Sequence, residues 1–213
     1  MEATLLKLFY APGACSLAPH IVLEEIGAPF ELERINLREG AQRSPAFLAV
    51  NPKGRVPALA TARGVLTENP AILAYLAQSF PQAGLAPLDD PFGFARMQAV
   101  NGFLSSTVHV AFAHAFRPER YADGDMAAQA MRAKAPQALA AAFALVEETF
   151  GDGRPYLLGD QYSVADAYLS VFSRWLESRG LGRLADFPKT AAHLELVSGR
   201  PAVAKALATE AAA

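Results

Sequence analysis

Residues Leu5 to Leu23, LLKLFYAPGACSLAPHIVL, decide the fold class. The apolar run from Leu5 to Tyr10 reads as a strand, Ala11-Pro12-Gly13-Ala14 as a turn, and a helical pattern opens at Cys15 and Ser16. A helix that starts straight from a strand leaves its first N–H groups without partners and its positive dipole end open. Cys15 is the only cysteine in the chain and stands at that start. A thiol there is expected to ionise more readily than a free one. The same corner can instead hold the thiolate of a bound ligand.

Working outward, the first ~80 residues alternate strand-like and helix-like segments, the pattern of an α/β unit. Phe30 to Ile35 (FELERI) alternates apolar and polar residues after the helix stop Gly27-Ala28-Pro29. Val56 to Ala60 and Val65 to Thr67 are two further short strands, with Ala62-Arg63-Gly64 as the turn between them. Asn69 to Phe80 reads as a helix, with Pro70 in the first turn, where its missing N–H costs nothing. The Pro-, Gly- and Asp-rich stretch PQAGLAPLDDP, Pro81 to Pro91, has a linker composition. From Phe92 onward the sequence is helical and partly Ala-rich, most clearly over Met126 to Phe150. The expected division is an α/β domain over 1–81, a linker over 82–91 and an all-helical domain over 92–213. Ser163-Val164-Ala165-Asp166 is a Ser-x-x-acid capping pattern, a folding signal rather than a chemical one.

Composition narrows the function. With 213 residues, 52% of them hydrophobic, the chain can bury a sizeable core. Lys plus Arg total 19 against 21 Asp plus Glu, a net charge of −2, so no nucleic-acid face is expected. No apolar run reaches the ~18 residues of a membrane span, and MEATLLKLFY lacks the form of a leader. One cysteine excludes an internal disulfide framework and fits a reducing compartment. The expectation is a soluble cytoplasmic protein without a membrane partner. His20, His114 and His193 show no metal-ligand spacing with one another or with Cys15, and no metal is expected.

Four segments in order resemble the soluble glutathione transferases, especially the bacterial beta-type class: Tyr10-Ala-Pro-Gly-Ala-Cys15-Ser16, Asn51-Pro-Lys-Gly-Arg-Val56-Pro57, Thr67-Glu68-Asn69 and Ser163-Val-Ala-Asp166-Ala-Tyr168. The resemblance spans nearly the whole chain. It implies a thioredoxin-like N-terminal domain, a helical C-terminal domain, a homodimer, and conjugation of glutathione to small apolar electrophiles. It also implies a cis Val56-Pro57 bond, whose backbone edge can pair with a bound peptide. Glutathione is a peptide with a cysteine in its middle. Glu68 can take an ammonium, and the helix start at Asn69 favours a carboxylate; the γ-glutamyl end of glutathione carries both on one carbon.

Cys15 and Ser16 are the candidates facing the ligand sulfur, with Tyr10 as an alternative hydrogen-bond donor. His109, in Ser105-Ser-Thr-Val-His109-Val, resembles the histidine that reaches over the thiol site in the beta-type class. Thr107 and Val110 stand where those relatives carry an acid and a lysine, and Gly102 stands where they carry an Asn. Phe103, Phe112, Phe116 and Tyr121 can form an apolar wall for the electrophile. Two other readings stay open on the sequence: a monothiol exchanger or peroxidase that uses Cys15 covalently, and a non-catalytic binding protein on this fold.

Overall fold

Everything in the N-terminal half is arranged on one short central strand, β1 (Leu6–Tyr10), in a computed structural model that describes residues 6–213. Leu5, where that strand is expected to begin, lies outside the described residues. Strand β1 pairs in parallel with β2 (Phe30–Arg34), Leu8 opposite Leu32, and antiparallel with β3 (Ala58–Thr61), Leu8 opposite Leu59. Strand β4 (Gly64–Thr67) completes the order β2-β1-β3-β4. Parallel neighbours need a crossover, and helix α1 (Leu17–Ile26) supplies it between β1 and β2. β3 begins at Ala58 rather than at the expected Val56, because Pro57 has no N–H to give the ladder. The Val56–Pro57 bond is cis.

Alternation along β1 sends Leu6, Leu8 and Tyr10 into the main core and Phe9 to the opposite face. There Phe9 meets Phe47 of helix α2 (Pro45–Val50), with Val56 and Ala58 beside them. On the main side α1 is buried from Leu17 to Leu23. It packs against α3 (Asn69–Ser79) and, in the other half of the chain, against α7 (Val164–Ser178) and α9 (Pro201–Ala211). One continuous cluster therefore holds Leu23 and Leu73 from the first half with Met97, Phe112, Phe143 and Phe172 from the second. The core runs past the stretch Pro81 to Pro91 without a break, with Leu85 of that stretch inside it.

The helical half begins with α4 (Pro91–Phe103), a π-helical turn over Leu104–Val108 and α5 (His109–Phe116), one unbroken run. Helices α6 (Asp125–Thr149) and α8 (Pro188–Ser198) complete it. Among the described residues the only β-pairing here is an isolated bridge, Tyr156 with Gly159. α7 is the pillar: every residue from Val164 to Ser173 is buried. Asp166 anchors its first turn. The buried carboxylate accepts from the Ser163 N–H and hydroxyl at 2.8 Å each and from the Leu157 N–H at 2.8 Å. His193 Nε2 lies 3.0 Å from the same carboxylate. His193 thus belongs to this folding knot.

Candidate active site

A cavity of about 290 Å³ opens where the β1–α1 turn, the start of β3 and the start of α3 face α5 and α7. It brings together Cys15, Val56, Pro57, Glu68, Asn69 and His109, residues spread over nearly a hundred positions of the chain. Two other candidates lie outside it. Tyr10 is buried with its ring 5.8 Å from that of His20. Ser16 is fully buried, and its hydroxyl accepts from the Ala11 N–H (3.1 Å) and donates to the Ala11 carbonyl (3.2 Å). Its bonds close the turn that carries Cys15, so Ser16 acts on the site through backbone placement.

Cys15 itself departs from the sequence expectation. The thiol is buried and pushed up to about 12, chiefly by the loss of solvent around the charged form. Hydrogen bonds from Asn69 and from the backbone at Cys15 pull the other way and do not offset it. α1 begins at Leu17, two residues after Cys15, and the Leu17 and Ala18 N–H groups are already taken by the carbonyls of Ala14 (3.1 Å) and Cys15 (3.3 Å). Cys15 is therefore a neutral S–H donor, with its sulfur 3.6 Å from the Val56 carbonyl oxygen. Asn69 completes the corner, its Nδ2 donating to the Cys15 carbonyl at 3.1 Å. The Oδ1 of Asn69 is buried without a hydrogen-bond partner.

Glu68 sits at the N-terminal boundary of α3 with φ of 70°, the only non-glycine residue with positive φ among those described. Such a conformation costs roughly 1–3 kcal/mol and persists where the surroundings enforce it. Its carboxylate is exposed at the cavity rim and pairs with Lys53 Nζ at 2.7 Å. Across the cavity His109 lies with its ring 5.5 Å from those of Phe172 and Trp175. Burial, then the positive charges of Arg55 and Arg120, lowers its pKa to about 4, so the imidazole is neutral at pH 7. No group of three or more His, Cys, Asp or Glu that could hold a metal ion occurs among the described residues. No helix there is long and apolar enough to cross a membrane.

A thiol, the backbone edge of Val56 and a carboxylate at a helix start, all facing a partly aromatic wall, match the pattern of one family. The profile of the glutathione S-transferase N-terminal domain matches residues 5–78, and that of the C-terminal domain matches residues 103–201. Glutathione S-transferase GstA of Escherichia coli O157:H7 is 35% identical over 208 residues, covering 96% of this chain and 98% of that protein. The chain belongs to the glutathione S-transferase family. Among solved structures it is similar to a glutathione transferase homolog from Sulfitobacter with bound glutathione (38% identity, TM-score 0.91, covering 96% of this chain and 98% of that one). The bacterial beta class glutathione S-transferase of Sphingomonas chungbukensis is similarly close (38% identity, TM-score 0.84, the same coverages).

Within this transferase the departures on the helical side have visible places. Val110 lines the cavity, while Thr107 is exposed outside it. A Cβ added at Gly102 would meet nothing within 4 Å, so a side chain has room there. Of the four aromatic residues expected in the electrophile wall, Phe112, Phe116 and Tyr121 line the cavity and Phe103 does not.

Among the residues around the site that sequence reasoning missed, three come from α7 and α9. Tyr168 and Trp175 line the cavity from α7, and Trp175 Nε1 also donates to the Gly13 carbonyl at 3.0 Å. Glu210 of α9 accepts from the Gly13 N–H at 2.8 Å. Their spacing from residue 15 is 153 to 195 positions, so no local pattern points to them. Only the burial of α7 and α9 against α1 brings them there.

Proposed function

We propose that this transferase joins the sulfur of glutathione to a small ring-bearing electrophile. The reading is carried by one juxtaposition: Cys15, Val56, Glu68 and Asn69 on one wall of a cavity whose other wall holds Phe116, Tyr121 and Trp175. Glutathione fits the first wall group by group. Glu68 takes the γ-glutamyl ammonium, the start of α3 at Asn69 takes the carboxylate beside it, and the Val56 edge pairs with the cysteinyl backbone. That leaves the ligand sulfur beside Cys15.

Catalysis then needs no ionised cysteine. The Cys15 S–H, resting on the Val56 carbonyl, turns to donate to the glutathione sulfur once that carbonyl accepts from the peptide. The thiol proton of glutathione goes to solvent. A sulfur lone pair forms the new C–S bond, and the leaving group departs with its bonding pair. With Cys15 held neutral, covalent exchange through it starts from a thiolate fraction of about one in 100,000 at pH 7, given the pKa of about 12. Two copies associating in a reducing cytoplasm belong to the same proposal. The exposed Phe92 and Val65 are apolar groups that a partner copy would cover, and sedimentation is expected to give twice the 22.7 kDa chain mass.

The test is calorimetry with glutathione, with the protein mass measured afterwards. Saturable binding without a mass gain supports the transferase, and conjugation of an activated aryl halide completes it. A glutathione-sized gain at Cys15 would replace the reading with covalent exchange. No binding at millimolar glutathione would end it.

A further inference from the structure

The cavity is cationic in a chain whose net charge is −2. Arg55, Arg117, Arg120 and Arg179 line it, against a single lining carboxylate, Glu68, which is bridged to Lys53 at 2.7 Å. None of the four arginines forms an ion pair among the described residues, although Glu119 lies beside Arg120 in sequence. They feel one another: after burial, Arg55 and Arg117 lower the Arg120 guanidinium from its usual value, and Arg117 does the same to Arg179. Like charges gathered around a cavity without counter-charge raise the energy of the empty protein, and an anion relieves it.

Glutathione accounts for only part of this charge. In the pose proposed above, its γ-glutamyl end is served by Glu68 and the start of α3, and Arg55, next to Val56 in the chain, is the lining cation left to its glycyl carboxylate. Arg179 is already committed: it donates to the Gly13 carbonyl at 3.2 Å and lies over the rings of Phe116 (5.2 Å) and Trp175 (5.1 Å). Arg117 and Arg120, in the turn after α5, are left over on the side of the aromatic wall.

We propose that the second-substrate side of the cavity selects aromatic electrophiles bearing an anionic group, of which a carboxylate is the simplest. The ring lies against Phe116, Tyr121 and Trp175, and the carboxylate is held by Arg117 and Arg120. The proposal rests on the transferase reading and specifies its substrate. A guanidinium binds a carboxylate through parallel charge-assisted hydrogen bonds, so position as well as affinity is set by the acid group.

The experiment compares glutathione conjugation of 4-chloro-3,5-dinitrobenzoate with that of its methyl ester, each rate divided by the uncatalysed rate at the same pH. Sulfur adds at the chlorinated carbon, the ring and nitro groups carry the added electron pair, and chloride then leaves with its bonding pair. The expected preference in kcat/KM for the acid is about tenfold or more, the scale of one charge-assisted hydrogen bond. The Arg117→Gln/Arg120→Gln double variant is expected to lower that acid-to-ester ratio about tenfold, with the loss in the KM of the acid and not in the KM of glutathione. An equal ratio in wild type and variant would overturn the proposal, as would a loss that falls on glutathione. If neither substrate is conjugated, the transferase reading fails on its own, and calorimetry with 3,5-dinitrobenzoate reads the subsite directly. Weaker binding by the double variant then supports the anion site; equal binding, or none, overturns it.

Discussion

Replacing Glu210 tests whether the C-terminal helix places the reactive corner or merely packs against it. Glu210 is 6% exposed, and its two oxygens serve two donors: Oε2 accepts from the Gly13 N–H at 2.8 Å, and Oε1 pairs with His20 Nδ1 at 3.1 Å. The Gly13 carbonyl in turn accepts from Trp175 and Arg179. The turn that presents Cys15 is therefore suspended by both peptide groups of Gly13 from the helical half. In Glu210→Ala the fully buried His20 imidazole loses its carboxylate, whereas the Gly13 N–H, on an exposed residue, can turn to water. A hydrogen bond to a charged group contributes ~1.5–3 kcal/mol, so the expected loss of stability is about 2–4 kcal/mol. Glu210→Gln should cost below ~1 kcal/mol. Its amide oxygen still accepts from Gly13, and its NH₂ can donate to Nδ1 if the imidazole proton moves to Nε2. That nitrogen has no hydrogen-bond partner now and lies 3.9 Å from Glu24. Urea midpoints at constant m-value measure the stability, and kcat for glutathione conjugation measures the placement. A displaced Cys15 should lower kcat roughly 10- to 100-fold in the alanine variant. If that variant loses stability as expected but keeps its kcat, the clasp is a folding contact and the reasoning about placement is wrong.

Three other outcomes are expected. Because its pKa is raised to about 12, Cys15 should be alkylated by iodoacetamide at a rate that climbs about tenfold per pH unit from pH 7 to 10; a plateau near pH 7 would restore the low-pKa expectation. His109, lowered to about 4, should show no titration of its ring proton resonances between pH 5 and 8. The folded chain then binds fewer protons at this site than the unfolded one from pH 6.5 down to about 4, so stability falls as pH falls through that window and His109→Gln should flatten the slope in urea titrations. Asp166→Ala strands the Ser163, Leu157 and His193 donors in the core and is expected to cost about 3–5 kcal/mol, seen as a fall in Tm.

The legible part of the molecule was the part governed by short-range rules. Strand period, turn residues and a capping pattern act within a few residues, so β1, the Asn69 helix and the Ser163–Asp166 start could be read from the chain. The wall built by Cys15, Val56, Glu68 and Asn69 could be read too, because each stands at the end of such an element. The ionisation of Cys15 could not. It depends on burial by elements far along the chain, which outweighs the hydrogen bonds that reach the sulfur. Ser16 misled for a similar reason: a hydroxyl at a helix start is a cap or ligand group by type, and here Ala11 takes it. Asp166 went beyond its local role, since the capping carboxylate also receives His193 from α8.

Charge at the site also decides where the rate must come from. Neither nearby titratable candidate is ionised at pH 7: Cys15 holds its proton and His109 lacks one. Stabilisation of a glutathione thiolate therefore falls to a neutral S–H and to the positive field of the cavity arginines. Even a generous effect there is modest. Lowering a thiol from ~8.5 to ~6.5 raises its ionised fraction at pH 7 from ~3% to ~75%. With a Brønsted slope of ~0.4–0.5 the intrinsic nucleophilicity falls roughly eightfold, leaving a net gain of about threefold. Holding the electrophile in line with the sulfur can contribute several kcal/mol, far more than that. Positioning of the electrophile against the aromatic wall is then the main source of acceleration, and the Cys15 corner sets where the sulfur waits.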